Sequence, residues 1–116
     1  MFELEAWDCV VSIFFHIRSV LRRAVHGSIP ESLRHDGCFV LEAHCSANIE
    51  RGVGGPQNPD VTVELYDVLQ SLGAARDIRI EIGREVEREI VEGTYHNGVR
   101  ATTQVLALRF QKLLHY

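Results

Sequence analysis

An α+β fold, with helices packed on a mainly antiparallel sheet, is what three stretches of this sequence predict. Residues 58–73 read as a helix: Asn58 can cap it, Pro59 suits its first position, and Gly73 can close it in a left-handed conformation. Val61, Leu65, Val68, Leu69 and Leu72 follow the three-and-four spacing of one buried stripe. Ile78 to Ile82 then alternate apolar and charged, as a half-buried strand does. Nearer the C-terminus, Asn97-Gly98 stands between β-formers, a strong short-range hairpin signal.

Taken in order, residues 3–26 predict a long N-terminal helix. Trp7, Val10, Phe14, Ile17, Leu21 and Ala24 repeat at three and four; acids gather at its start and bases at its end. Gly27 reads as its cap and Pro30 as a stop. This helix is more apolar than one buried stripe requires, because Val11, Ile13, Phe15 and Val20 lie outside the stripe. In so short a chain that excess predicts a homo-oligomer, joined through Trp7, Val11, Phe14 and Phe15.

Residues 28–37 form a polar connection, and Cys38 to Cys45 a strand with Phe39, Leu41, Ala43 and Cys45 on the core side. The glycine-rich stretch 46–57 is a loop leading to the second helix, at 59–73. After the strand at 77–82, residues 84–92 fit either a continuation toward residue 95, kinked at Gly83, or a short helix. The hairpin turn His96-Asn97-Gly98 leads to a last strand over 99–110, although residues 104–114 also fit a helix with Leu106, Phe110, Leu113 and Leu114 on one arc. Because the second helix links two strands, a βαβ crossover with a parallel pair is the competing topology.

The totals bound the function. The 116 residues make one domain with a core of its own. With 46% hydrophobic and 24% charged residues, the composition is that of a soluble globular chain. A net charge of −4 gives no general attraction to nucleic acid or an anionic membrane, so neither is an expected partner. Three cysteines, an odd count, and acids where a basic leader would stand predict free thiols in a reducing cytosol. No cofactor is implied.

Candidate chemistry is sparse. Glu42 and His44 share a strand face, the minimum for an acid–base pair, although an exposed strand face also carries such residues. Cys38, His44 and Cys45 do not make a zinc site: four convergent ligands are needed, no CxxC is present, and Cys38 and Cys45 differ in parity. The glycines before the second helix lack the GxxxxGK[ST] and GxGxxG phosphate patterns, and Asp60 would repel an anion there. If residues 84–92 are strand, Arg84 and Arg88 enter an otherwise apolar face and require Glu42, another acid or an anionic ligand. No nucleophile triad is present.

Three functions follow as expectations. The first is a homo-oligomeric binding module with a small-molecule pocket between helix and sheet, its ligand touched by Glu42, His44, Arg84 and Arg88. The second is an inhibitor or immunity-like protein whose acidic row (Glu81, Glu85, Glu87, Glu89, Glu92) masks a basic target. The third is a small enzyme using Glu42 and His44.

Overall fold

The computed structural model describes residues 2–51, 55–73, 76–89 and 100–112. Its elements are β1 (Trp7–Ile13), α1 (Ser19–Ser32), β2 (Leu33–His44), α2 (Ala47–Arg51), a 3-10 turn (Pro59–Val61), α3 (Leu65–Leu72), β3 (Arg76–Glu89) and β4 (Arg100–Lys112). The strands form one mixed sheet in the order β1-β2-β4-β3. β1 runs parallel to β2 through the α1 crossover, and β4 is antiparallel to both β2 and β3. Helices packed on a sheet make the α+β class, as the sequence predicts.

One face of the sheet carries the core. Phe39, Leu41 and Ala43 of β2 and Leu106, Leu108 and Phe110 of β4 bury against Ile29 of α1 and Val68 and Leu72 of α3. The opposite face carries Cys9, Val11 and Ile13 of β1 in register with Cys38, Val40 and Glu42 of β2. Beyond them on that face lie Val105 and Ala107 of β4 and Ile82, Arg84 and Val86 of β3. No described helix covers it; Val11 is 61% exposed and Ile82 42%.

The first helix predicted by periodicity is corrected by the structure. Residues 7–13 are a parallel strand, and α1 begins only at Ser19. The reason lies in Asp8-Cys9-Val10-Val11-Ser12-Ile13. Where almost every position is apolar or small, a helical spacing can always be picked out, while stiff β-branched side chains favour a strand in a near-continuous apolar run. α1 then continues through Gly27 and Pro30 to Ser32. Gly27 lets α1 lie close to α3, since a Cβ there would stand 3.4 Å from the Ser71 carbonyl oxygen. Pro30 forfeits one helical bond, but it falls in the last turns and is buried.

β2 accordingly starts earlier than predicted, at Leu33. Its register against β1 jumps from Trp7↔Leu33 to Cys9↔Cys38, so Arg34 to Gly37 arch out of the pairing. Asp36 adopts a positive φ of 62° in that arch. At Gly37 a Cβ would come within 2.8 Å of the Arg34 carbonyl oxygen, so only glycine fits.

The predicted helix at 59–73 is present in two pieces. Asn58 accepts a bond from the Asp60 amide, Pro59 opens the 3-10 turn, and Gly73 closes α3 at φ 77°. Between them Thr62 and Val63 are extended and buried, and the Val63 amide donates to the His44 carbonyl at 3.0 Å. Residues 84–89 are strand, but the phase changes differently from the kink expected at Gly83. The register shifts between Ile80 and Ile82. Ile78 and Ile80 therefore pair with core-facing Phe110 and Leu108, whereas Ile82 pairs with Ala107 on the open face. A bulge at Glu81 achieves this. The turn at His96-Asn97-Gly98 lies outside the described residues, between antiparallel neighbours β3 and β4. Among the described residues no helix is long and apolar enough to cross a membrane.

Candidate functional site at the carboxyl ends of β1 and β2

In an open sheet with parallel strands, the backbone leaves its strands at their carboxyl ends and ligands gather in the crevice there. Here that edge collects the residues after Ile13, the residues after His44, the N-terminus of α1, and the extended segment 62–64.

An aromatic stack stands at its centre. Phe14 and His44 have ring centroids 4.9 Å apart, and His44 and His16 5.4 Å apart, all near parallel. Phe14 holds a left-handed φ of 50°, costly for a bulky side chain, while its amide donates to the Glu42 carbonyl at 2.7 Å. That conformation ends the strand and leaves the ring 44% exposed. His16 is fixed at both nitrogens: Nδ1 lies 3.0 Å from the Val61 carbonyl oxygen, and Nε2 accepts the His44 amide at 3.3 Å. The first contact requires Nδ1 to carry the proton and the second requires a lone pair on Nε2, so one tautomer is held.

His44 itself is half-buried. Burial, then the neighbouring His16, holds its pKa below the ordinary histidine value, against a hydrogen bond to the Thr102 backbone and the Glu42 charge. Its Nδ1 is buried and has no hydrogen-bond partner among the described residues. Gly55 closes over the ring at φ 70°, and a Cβ there would come within 2.7 Å of His44 Cδ2. The 46–57 stretch thus touches the stack where it is described.

Beside the stack lies a polar recess of about 310 Å³. Asp60 accepts the Ser19 amide at 3.2 Å and its hydroxyl at 2.6 Å, tying the 3-10 turn to the first turn of α1. Those two bonds lower the Asp60 carboxyl below its usual range. Arg22 is buried, donating to the Thr62 carbonyl at 2.8 Å and to Asp67 at 2.5 Å. Burial pushes the Asp67 carboxyl up, but Arg22 and Arg23 outweigh it and leave it low. Glu64 accepts the Ser46 amide and hydroxyl at 2.9 and 2.7 Å.

Of the residues singled out from sequence, Glu42 and Arg88 come together. They form a bidentate ion pair on the open face, with the Thr103 hydroxyl 3.0 Å from the same carboxylate. Arg84 sits in register with Glu42 across Val105 and makes no ion pair among the described residues. His44 belongs to the stack, while the Glu42 carboxylate is occupied by Arg88 and Thr103. Phe14 and His16 escaped sequence reasoning because residues 3–26 were read as one helix. The usable signal was an apolar β-branched run ending abruptly in Phe-Phe-His. In the acidic row, Glu81 pairs with Arg79 and Arg109, and Glu87 with Arg51 and Arg100. Cys45 is buried, its thiol raised chiefly by burial, and contacts Glu85 at 3.4 Å. Among the described residues no group of three or more His, Cys, Asp or Glu could hold a metal ion.

Neither a family model nor a curated protein matches this sequence. The fold is similar to part of a chain solved in work on the conversion of a disulfide bond into a thioacetal group during echinomycin biosynthesis, with a TM-score of 0.63 and 13% identity. The match covers 93% of this chain and 50% of that one, so the present chain spans about half the length of its structural neighbour. The likeness defines the class, helices on a four-stranded mixed sheet.

Proposed function

We propose that the chain is a homo-oligomeric binding module whose small-molecule ligand lies against the Phe14–His44–His16 stack at the carboxyl ends of β1 and β2. The observation that carries the reading is Phe14 itself. A phenylalanine held at positive φ, with its ring exposed and seated on a histidine whose Nδ1 has no partner among the described residues, is costly unless something uses it. A planar ring stacks on the exposed Phe14 ring. Copies of the chain join through the free edge of β1, where Trp7, Val11, Phe14 and Phe15 are exposed. Thermal shift with a panel of planar heterocycles, nucleosides included, tests the site. The expected result is a rise in Tm for one ligand class that Phe14→Ala abolishes; an equal rise in the variant would refute it.

A second reading, group transfer, is favoured by the fold likeness alone. A thioacetal is a carbon bearing two sulfurs, and a group donor with a nucleoside part would use the same stack and strand edge. Binding of S-adenosylmethionine, lost in Phe14→Ala, favours this reading over the plain module; binding of unrelated heterocycles without it favours the module. The masking of a basic partner has less support, since two of the acids it relies on, Glu81 and Glu87, are paired with arginines of this chain.

A further inference from the structure

We propose that Cys9 and Cys38 form a paired-thiol site for a soft, thiophilic ion, with trivalent arsenic as the fitting class. The two residues are register partners on adjacent parallel strands, so both side chains leave the same, uncovered face of the sheet at one level. Cys9 is exposed and Cys38 half-exposed, whereas Cys45 is buried on the other face. The Cys9 thiol donates to the Val10 carbonyl at 3.9 Å, and interaction with the neighbouring Cys38 thiol, followed by burial, raises it to about 11, with Arg109 opposing.

These facts choose among the reactions open to two thiols. Strand spacing lies within the Cα range that a disulfide accepts, but closing one needs an oxidant, whereas a one-atom bridge between two thiols does not. Soft ions bind sulfur strongly enough to displace the protons of both thiols. With an organic arsenoxide the step balances simply: the two S–H protons leave with the arsenic-bound oxygen as one water, two As–S bonds form, and arsenic stays trivalent. The bridge fastens β1, an edge strand, to β2.

Phenylarsine oxide is the probe, added in equimolar amount to the folded chain and read by intact mass. The expected product is one adduct per chain, less one water, reversed by a small dithiol and retained in Cys45→Ser. Cys9→Ser and Cys38→Ser should each lose it, with far-ultraviolet circular dichroism confirming that both remain folded; Cys9 is exposed, so its variant keeps the fold. A rise in Tm on adduct formation is expected in the native chain. An adduct that survives either single replacement, or no adduct at all with the native chain, overturns the proposal.

Discussion

The buried charges show how single residues organise this chain. Arg22 is only 4% exposed, yet every partner it has comes from the 60–67 segment, so one guanidinium fixes α1 to the turn and helix that follow β2. Arg22→Ala strands Asp67 and the Thr62 carbonyl, and a broken buried pair costs about 3 kcal/mol; urea unfolding should show a loss of that size. Arg88→Ala removes an ion pair whose arginine is half-exposed, so the same experiment should show no more than about 1 kcal/mol. His26 supplies the pH dependence. Burial, and then the Arg22 charge, push its pKa from 6.5 down to about 4, with Asp67 opposing. The unfolded chain therefore binds a proton near pH 6.5 that the folded chain refuses until about pH 4. Stability falls with acidity through that window and is flat above it, by about 2 kcal/mol at about pH 5. His44, also lowered, acts in the same direction. Asp67 acts in the same direction at lower pH: its contribution is lost as pH falls below the ordinary carboxylate value. His26→Leu should flatten the slope between about pH 7 and 5 in urea midpoints; an unchanged slope would mean His26 does not hold the neutral form.

At the scale of elements, legibility followed how many structures each stretch could satisfy. The 59–73 region was readable because Asn58, Pro59 and Gly73 specify ends as well as a stripe, and only the extended Thr62-Val63 inside it was hidden. Those two residues are drawn out of helix by a long-range bond to His44, which no local pattern encodes. The strands at 38–45, 77–82 and 99–110 were readable from alternation, with helix a rival over 84–92 and 104–114; the start of β2 at Leu33 and the bulge at Glu81 were not, because 28–37 reads as a polar connection and Ile82 would suit either face. β1 was misread since an apolar run reads equally as a buried strand or an amphipathic helix. The Glu42–Arg88 pair was foreseeable from parity; the Phe14–His16–His44 stack was not, because it joins the ends of two strands that sequence reasoning had not placed side by side. β1 also carries the prediction for assembly. Among the described residues it ends the sheet, with Asp8 inside it engaged by Arg34 and with Glu3 and Glu5 just before it. Such an edge pairs with another strand unless charge prevents it. Val11→Lys, at an exposed position, should leave the protomer fold intact and weaken self-association at least about tenfold, a change of about 1.4 kcal/mol. Analytical ultracentrifugation over a concentration series would measure it.

For the whole molecule, the parts point to an unfinished surface. The radius of gyration is 15.5 Å, against about 13 Å for a compact chain of this length. A parallel strand pair is ordinarily covered on both faces, whereas here Cys9, Val11, Ile13 and Ile82 look outward. Between α1 and the β1 edge lies an apolar cleft of about 390 Å³ lined by Val10, Ile13, Phe15, Val25 and Ile29. An added strand on β1 would roof that cleft, and a second copy related by a two-fold axis supplies one in antiparallel register. The ligand stack begins one residue beyond this edge, at Phe14, so assembly and binding are expected to respond to each other. Native mass by light scattering across a concentration range tests this account most directly. A dimer or larger closed assembly, shifted toward monomer by Val11→Lys, is the predicted result. A strict monomer at every concentration would contradict it, and would leave the exposed face and edge of β1 without the occupant proposed for them.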